Sequence, residues 1–324
     1  MFNVALIGIG NIGLLFDSDK DNLDKVLSHI KAIYLHKEFS LKYVVDIDDT
    51  HVPKVQTFFP DVLFYSDYKN ITNNQDIDIV VIATPTSTHF QVLSDFKNND
   101  NVKIFFMEKP LFNDMYEYSS IDTHVKDKIV VNYLRRFSLK IQKLKKEIKN
   151  KNFFDLEKII INYCKGLKNN GSHMIDLINF LFDNPKILST LILDKTIGFN
   201  ENDLTYDIFI RIEYQNKIVP IYFIGFNHER YNIIEVNFYF ENQVVKYINS
   251  KNQIEYYDIV SHEIFPTYKI MSKEPKIEKL ENKLMLEAYD YLAQMLQNNQ
   301  KNIVSFEDEI KNREFLENIL QQEV

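Results

Sequence analysis

The sequence GIGNIG at residues 8–13 decides the fold of the first part of the chain, because it directly follows the apolar run at residues 4–7. A helix-compatible segment comes next, so the order is strand, glycine turn and helix. In such a turn the first glycine permits the tight bend, the second lets the backbone approach a phosphate, and the third lets helix and strand pack closely. Three of the chain's seven glycines lie in this hexapeptide, which argues against a chance cluster. The stretch therefore predicts a turn whose backbone N–H groups hold the pyrophosphate of a dinucleotide at a helix N-terminus.

Short apolar runs alternate with helical patterns over the first 130 residues. The runs lie at residues 4–7, 41–46, 79–83, 104–107 and 129–133. This alternation predicts a parallel sheet with crossover helices. The polar stretch DSDKDNLD at residues 17–24 predicts a loop inserted before a helix at residues 25–36.

The pattern changes after Tyr133. A lysine-rich run at residues 140–151 has apolar residues interleaved, and it predicts an amphipathic helix with a solvated lysine face rather than a nucleic-acid site. A strand, an apolar helix and five further strand-like stretches follow at residues 156–163, 173–182, 187–193, 206–214, 219–225, 233–240 and 244–249. Consecutive alternating strands predict an antiparallel sheet, with one face covering helices and the other available for a second subunit. Ser305 and Asp308 predict the cap of a last helix.

These patterns predict an α/β protein with two domains. Residues 1–132 are expected to form an N-terminal Rossmann dinucleotide-binding domain. Residues 133–324 are expected to form a C-terminal α+β domain with a large, mainly antiparallel, open-faced sheet.

Composition narrows the function classes. The 324 residues are 45% hydrophobic and 26% charged with a net charge of −8, which is ordinary globular usage and predicts neither a nucleic-acid nor a membrane partner. The single cysteine, Cys164, excludes an intramolecular disulfide and a cysteine-based metal cluster, and we predict no metal site. Because there is no signal-peptide pattern and no apolar run long enough to span a membrane, we expect a cytoplasmic enzyme.

Asp46 ends the second predicted strand. A carboxylate at this place accepts the hydroxyls of the adenosine ribose and repels the 2′-phosphate of NADP, so we predict NAD as the cofactor. Asp46 lies 33 residues after Gly13 (46 − 13 = 33), more than the usual spacing of about 20 residues, and the polar insert accounts for the excess. The alternative is a strand-end aspartate that only caps a turn.

Two further segments follow predicted strands of the first domain. ATPTSTH at residues 83–89 comes where a parallel sheet presents ligands; the alternative is a Thr-Pro turn that caps a helix. Glu108-Lys109-Pro110 follows the next strand, and the proline biases Lys109 toward an extended backbone that points out of the sheet edge. An ammonium there donates a hydrogen bond to a substrate hydroxyl or relays its proton. The alternative is a solvated surface lysine.

GSHMID at residues 171–176 opens the apolar helix of the second half. Ser172 suits the N-cap, which places His173 in the first turn, where the helix dipole favours the neutral, basic form of the imidazole. Asp176 is three residues on and shares a helix face with His173, so it is a candidate to orient the ring. The alternative is a capped core helix that carries an incidental histidine.

Together these segments resemble the Gfo/Idh/MocA family of sugar oxidoreductases. The matching segments are GIGNIG at residues 8–13, Asp46, ATPTSTH at 83–89, EKP at 108–110, NYLRRF at 132–137 and GSHMID at 171–176. They follow the family's order over residues 1–180, whereas the later half is similar in pattern only. The resemblance implies a pyrophosphate held by Gly8, Gly10, Asn11, Ile12 and Gly13. It implies that the rest of the cofactor contacts Asp46, Ile47, Thr84, Pro85, Thr86, His89, Glu108 and Lys109.

The resemblance also implies the chemistry of the site. Lys109 polarises a sugar hydroxyl near the nicotinamide, and His173 acts as the acid/base residue with Asp176 and Asn169 beside it. Arg136 and Lys165 are candidates for an anionic part of the substrate, with Asn169 and His173 as further substrate contacts, although each cation is equally a candidate for a structural ion pair. A homodimer or homotetramer through the C-terminal sheet is the implied assembly.

Asn169 is the main departure from the family pattern, because many members carry an aspartate there, four residues before the histidine. An amide cannot accept a proton or stabilise an imidazolium as a carboxylate does. Thr86 is a milder change at a position that is often asparagine. The predicted function is an NAD-dependent oxidoreductase that acts on a sugar or nucleotide-sugar. Two alternatives stay open: an enzyme with tightly held NAD and no net redox change, such as an epimerase or dehydratase, and a cofactor-binding regulator without turnover.

Overall fold

The computed structural model describes residues 1–150 and 153–323, and the chain divides into two compact units. The first comprises residues 1–138 and 281–310, and the second comprises residues 139–280 and 311–324. This division differs from the predicted domains 1–132 and 133–324 in two respects. The change of unit comes six residues later, and residues 281–310 return to the first unit because Met285, Tyr289 and Leu292 are buried in its hydrophobic core.

The first unit is built on a six-stranded, wholly parallel sheet. Its strands are β1 Phe2–Ile7, β2 Phe39–Val45, β3 Leu63–Tyr65, β4 Ile79–Ile82, β5 Ile104–Met107 and β6 Ile129–Val131. Their order is β3-β2-β1-β4-β5-β6, so the chain direction across the sheet reverses between β1 and β4, where such sheets bind ligands. The predicted Rossmann-type fold is confirmed. β3 was not predicted because it has only three residues, none of them buried.

Helices connect the strands of this unit and continue through the second. Among the described residues they are α1 His29–Leu35, α2 Val52–Phe58, α3 Thr86–Phe96, α4 Met115–Ser119, α5 Thr123–Lys126, α6 Leu134–Phe137, α7 Leu139–Lys149, α8 Ser172–Leu181, α9 Leu284–Asn298 and α10 Phe306–Leu320. Ser305 and Asp308 cap α10 as predicted, since each backbone N–H bonds the other side chain. Within the part of the chain that the structure describes, no helix combines the length and the apolar character that a membrane span needs.

The second unit contains a nine-stranded, mostly antiparallel sheet. Its strands are β7 Leu156–Cys164, β8 Lys186–Asn200, β9 Asp203–Tyr214, β10 Lys217–Phe226, β11 Glu235–Phe240, β12 Gln243–Ile248, β13 Gln253–Ser261, β14 Lys269–Met271 and β15 Lys276–Lys279. β7 and β10 form its one parallel pair among the described strands, and β15 pairs with β13 beside β14. The predicted α+β architecture is confirmed, although β13, β14 and β15 were not predicted.

The two faces of this sheet differ in polarity and exposure. On β9, Ile208, Ile210 and Ile212 are fully buried, whereas the alternate side chains point to the other face. That open face and the edge strand β8 expose apolar side chains, among them Leu191, which is 54% exposed. α7 is the predicted amphipathic helix and buries Ile141, Leu144 and Ile148; Lys151 of the predicted lysine face lies outside the described residues.

Candidate functional site

In the glycine turn after β1, close backbone contacts require glycine at two positions, whereas the third glycine has free space around it. Gly8 has φ +99°, and an added Cβ would lie 2.7 Å from the backbone carbonyl carbon of Ala83. A Cβ on Gly13 would lie 2.3 Å from the carbonyl oxygen of Gly8. A Cβ on Gly10 would meet nothing within 4 Å. Gly8 and Gly13 are therefore required by close packing, while Gly10 faces free space.

The same turn presents a row of free backbone donors. The N–H groups of Gly8 and Ile9 are used, since they donate to Val45 O and to the Asp46 carboxylate, each at 2.8 Å. The four N–H groups of residues 10–13 that follow donate to no acceptor among the described residues. Four successive donors at the start of a helical turn form an anion site. The turn therefore fits the pyrophosphate of a dinucleotide.

The helix that follows the turn is interrupted by a loop. After one turn the chain leaves the helix near Phe16 and returns at His29, whose N–H donates to Ile12 O at 3.0 Å. In a continuous helix residue 16 would make this bond, so the loop displaces the chain by 13 positions (29 − 16 = 13). The predicted loop is present, but the helix begins at His29 rather than at residue 25, because Ser28 caps it.

A buried ion pair holds the inserted loop. The ammonium of Lys31, which is fully buried, lies 2.9 Å from Asp17 Oδ1 and 2.8 Å from the carbonyl oxygen of Asp19, and it also bonds Asn22 O. Asp17 is 3% exposed. The loop therefore folds around a positive charge that the helix itself supplies.

Asp46 lies beside the glycine turn at the end of β2. Its Oδ2 accepts from Ile9 N at 2.8 Å, and its Oδ1 accepts from Asp48 N at 3.1 Å. Each oxygen keeps a second lone pair, so the turn-capping role and the ribose role are compatible. Without the 13-position displacement, the 33-residue spacing between Gly13 and Asp46 becomes 20 residues, which matches the usual spacing of about 20. Ile47, the next residue, is 95% exposed.

The segment after β4 contributes both surface and support. Pro85 precedes α3, which begins at Thr86, and Thr88 Oγ1 lies 2.8 Å from Thr84 Oγ1. His89 is only 1% exposed, and its two ring nitrogens lie 2.8 Å from the carbonyl oxygen of Thr84 and 3.0 Å from that of Leu111. In the described structure His89 therefore ties two backbone segments together, and its predicted contact with the cofactor stays a prediction.

Glu108 and Lys109 follow β5, and the Lys109–Pro110 peptide bond is cis. Glu108 Oε1 accepts from Asn132 Nδ2 at 2.6 Å and lies 3.1 Å from His29 Nε2. Burial raises the pKa of this carboxyl, but His29, the Asn132 amide and the Lys109 ammonium outweigh burial and hold the pKa below its usual value. The structure thus adds His29 to the predicted residues. The sequence carries no signal for it, because its position follows from the inserted loop.

In the second unit, a wide π-helical turn at Gly166–Gly171 precedes α8 and contains Asn169. Asp203 at the start of β9 fastens this turn, since its two carboxylate oxygens accept from Lys168 N at 2.7 Å and from Asn169 N at 2.9 Å. Gly166 has φ +84°, and a Cβ there would lie 2.2 Å from Asp203 Oδ2. Asp203 was not predicted, because nothing in the sequence pairs it with a turn 34 residues earlier.

His173 is the half-buried residue of a helix whose other residues are all buried. The prediction that Ser172 caps this helix is wrong. The preceding turn runs directly into α8, no side chain caps the helix, and Ser172 Oγ donates backward to Asn169 O at 2.8 Å. The helix-dipole argument for a neutral His173 therefore loses its basis. Asp176 is buried and accepts from Asn312 Nδ2 at 2.8 Å; its predicted contact with His173 stays a prediction.

The two cations proposed for an anionic substrate differ in environment. Arg136 is 2% exposed, and its Nη1 lies 2.9 Å from both Asp308 Oδ1 and the carbonyl oxygen of Ile303. This geometry favours the structural alternative for Arg136. Lys165 has a left-handed backbone at φ 62° and is half-buried beside the Asn169 turn, and its substrate role stays a prediction.

Comparisons with known proteins agree with this geometry. A model described as "Oxidoreductase family, NAD-binding Rossmann fold" matches residues 2–134. The uncharacterized oxidoreductase YrbE of Bacillus subtilis is 26% identical over 149 residues, which are 45% of this chain and 39% of that protein. The aligned part thus spans well under half of that relative.

Solved structures extend the similarity to the whole fold. A myo-inositol dehydrogenase from Corynebacterium glutamicum is 16% identical with a TM-score of 0.71, over 99% of this chain and 96% of that one. The super-repressor mutant of Gal80p from Saccharomyces cerevisiae is 14% identical with a TM-score of 0.74, again over 99% and 96%. At these identities the likeness is one of fold alone.

Proposed function

We propose that the protein is an NAD-dependent oxidoreductase that acts on a sugar or nucleotide-sugar hydroxyl, since the model of the Gfo/Idh/MocA oxidoreductase family matches residues 2–134. The observation that carries the proposal is the row of four free N–H donors at residues 10–13, with the Asp46 carboxylate bound to the same turn. The donors suit a pyrophosphate, and the carboxylate suits the two ribose hydroxyls next to it.

The proposal favours NAD over NADP on electrostatic grounds. A 2′-phosphate beside Asp46 would bring two negative charges together, and neither Arg nor Ser adjoins Asp46 to offset them. Ile47 is exposed next to the carboxylate, so it is free to contact the adenine side of the cofactor. Thr84, Pro85 and Thr86, which follow β4, would contact the nicotinamide half of the cofactor.

When bound, the nicotinamide supplies the hydride chemistry of the reaction. In the direction of oxidation, the Lys109 ammonium donates a hydrogen bond to the substrate oxygen and stabilises its developing negative charge. His173 takes the hydroxyl proton as the C–H hydrogen leaves with its electron pair. His173 suits this role because it is the partly exposed member of an otherwise buried helix. Asn169 contributes a neutral hydrogen-bonding group in the turn that directly precedes His173 and α8.

The myo-inositol dehydrogenase among the structural relatives supports a polyhydroxylated substrate, whereas the repressor mutant supports a second candidate function. In this second candidate, the chain binds the cofactor and does not turn over. The observation that favours it is Asn169, since an amide replaces the carboxylate that would help a neighbouring histidine carry charge.

We further propose that copies of the chain associate through the open face of the second sheet, as a homodimer or homotetramer. The support is the row of exposed apolar side chains along β8, which includes Leu191, Leu193 and Phe199 at 54%, 60% and 60% exposure. Exposed apolar patches of this kind mark interaction surfaces in soluble proteins.

The cofactor proposal is tested by thermal unfolding of the wild type and of Asp46→Asn with NAD, NADP, or neither. Ligand binding raises stability by RT ln(1 + [L]/Kd), about 2.7 kcal/mol at 100 Kd. We expect NAD to raise the Tm of the wild type more than NADP does, and Asp46→Asn to reduce that difference. Equal or greater stabilisation of the wild type by NADP contradicts the Asp46 argument.

The catalytic proposal is tested by NADH formation on a panel of sugars and nucleotide-sugars, followed by Lys109→Ala and His173→Ala on any active substrate. We expect each variant to lower kcat by about 100-fold or more, as for removal of a general base or an oxyanion donor. Normal turnover by either variant contradicts the assigned role. Cofactor retained through purification without net NADH formation favours the non-net-redox class, and binding with no turnover on any substrate favours the regulator.

A further inference from the structure

Two buried side chains and one partly buried side chain form a hydrogen-bonded chain beneath the end of β5. The Tyr289 hydroxyl lies 3.0 Å from His29 Nδ1, and His29 Nε2 lies 3.1 Å from Glu108 Oε1. Tyr289 is fully buried, His29 is 1% exposed and the Glu108 side chain is 14% exposed. The chain therefore runs from the core of the first unit to the residue that precedes Lys109.

The partners of His29 determine where its ring carries the proton. Glu108 Oε1 is an acceptor, since Asn132 Nδ2 already donates to it at 2.6 Å. His29 Nε2 must therefore be the donor to that oxygen. In a neutral ring that carries its proton on Nε2, Nδ1 is an acceptor, so the Tyr289 hydroxyl at 3.0 Å donates to it. Burial raises the pKa of Tyr289 well above its usual value, with the Glu108 charge adding to the effect, so the hydroxyl has the proton to donate.

Aromatic packing fixes the orientation of the same ring. His29 makes edge-to-face contacts with Phe106 at 5.4 Å and with Tyr289 at 5.9 Å between ring centroids. Tyr289 in turn contacts Phe39 at 5.3 Å and Phe106 at 5.7 Å in the same manner. A ring flip of His29 would exchange its nitrogens and set two acceptors, Nδ1 and the Glu108 carboxylate, against each other. Both packing and hydrogen bonding thus select one orientation and one tautomer.

From this geometry we infer that Tyr289 and His29 are positioning residues for the proposed cofactor site of the first unit. Tyr289 fixes the tautomer of His29, and His29 holds the Glu108 carboxylate in place beside Lys109. The effect on the cofactor rests on the proposed function, whereas the hydrogen-bond chain does not. The two residues touch neither cofactor nor substrate in this role. They act through Glu108, whose backbone is continuous with the lysine that polarises the substrate.

The tautomer is tested by two-bond ¹H–¹⁵N correlation spectra of the full chain at pH 7, with all eight histidines labelled. The His29 signals are assigned by their loss in His29→Gln. We expect one neutral tautomer with the proton on Nε2 and a hydrogen-bonded, unprotonated Nδ1. In Tyr289→Phe, which keeps the ring and removes only the hydroxyl, the Nδ1 resonance moves because it loses its donor. A doubly protonated ring, or a proton on Nδ1 in the wild type, overturns the inference.

The functional consequence is tested by NADH titration of wild type, Tyr289→Phe and the matched control Tyr118→Phe. Tyr118 is also buried in the first unit and donates to a carboxylate, that of Glu309, at 3.0 Å. We expect Tyr289→Phe to weaken NADH binding by about fivefold, the usual size of one lost hydrogen bond, and Tyr118→Phe to leave the dissociation constant unchanged. Equal dissociation constants for Tyr289→Phe and the wild type overturn the positioning role.

The two readouts separate this inference from the proposed function. If the wild type binds neither NADH nor NAD, the proposed cofactor is wrong and the positioning role falls with it, while the spectra still decide the hydrogen-bond chain. If the wild type binds NADH and Tyr289→Phe binds it equally well, only the positioning role is overturned.

Discussion

Replacing the three glycines of the turn by alanine one at a time separates the demands of the fold from those of the cofactor. All three variants add the same methyl group, and they differ in the atoms that this group contacts. At Gly8 it lies 2.7 Å from backbone atoms of Ala83, at Gly13 it lies 2.3 Å from the Gly8 carbonyl oxygen, and at Gly10 it lies in free space. We therefore expect Gly8→Ala and Gly13→Ala to destabilise the protein, and Gly10→Ala to impair binding alone.

The expected magnitudes follow from these contacts. The positive φ of Gly8 costs an alanine about 1–2 kcal/mol, and the backbone overlap adds about 1–3 kcal/mol. For a unit of this size that lowers the Tm by about 4–20 °C. Gly10→Ala restricts the unfolded chain without strain in the folded one, so it leaves stability unchanged or raises it by up to about 1 kcal/mol. Its methyl group lies where a phosphate must approach, so NADH binds at least about tenfold more weakly.

The assay measures thermal unfolding without ligand and the dissociation constant of NADH for the wild type and the three variants. The folded Gly10→Ala protein is the decisive case, since its binding is read without a loss of stability. Gly10→Ala with wild-type affinity for NADH would refute the assignment of this turn to the pyrophosphate. A Gly8→Ala protein as stable as the wild type would refute the packing argument.

Three further perturbations test other parts of the structure. Lys31→Met leaves the buried Asp17 carboxylate without its cation and should lower the free energy of unfolding, measured with urea, by about 3–5 kcal/mol. Recovery of that stability in the double variant with Asp17→Leu supports this reason, whereas an unchanged free energy of unfolding in Lys31→Met contradicts it. Burial raises the pKa of Asp308, but Arg136 outweighs burial and lowers it, so its stabilisation is present above the unfolded pKa of about 3.9 and is lost as pH falls through the lower folded value. In Asp308→Asn the free energy of unfolding should therefore fall less steeply as the pH is lowered than in the wild type. An unchanged dependence on pH argues against a stabilising role for the Arg136–Asp308 ion pair. Leu191→Glu should reduce the molar mass in light scattering if copies associate through β8, and an unchanged oligomeric mass places the interface elsewhere.

The sequence was sufficient for those parts of the fold that local chemistry determines. The glycine turn, Asp46 and the alternating apolar runs predicted the parallel sheet and its ligand edge, because strand period and turn residues act over short distances. The polar insert was also read correctly from its composition. Its eight predicted residues accounted for most of the long interval to Asp46, and the structure shows that the displacement is 13 positions.

The sequence was insufficient where long-range contacts decide the role of a residue. Tyr289 meets His29 across 260 residues, and Asp203 reaches back to Asn169 across 34. No local pattern marks either pair. The predicted cap at Ser172 was wrong because Asp203 already satisfies the N–H groups of the preceding turn, so the helix continues from it.

The loop that interrupts the first helix has a consequence for redesign and divergence of this chain. The hydrogen bonds of the helix resume after the loop with His29 in the place that residue 16 takes in a continuous helix, so excision of residues 16–28 should restore an uninterrupted helix. Lys31 prevents a simple excision, because its ammonium would lose Asp17 and two carbonyl partners and remain buried. Loop and lysine form one exchangeable module: a chain that loses the loop must also replace Lys31 with an apolar residue.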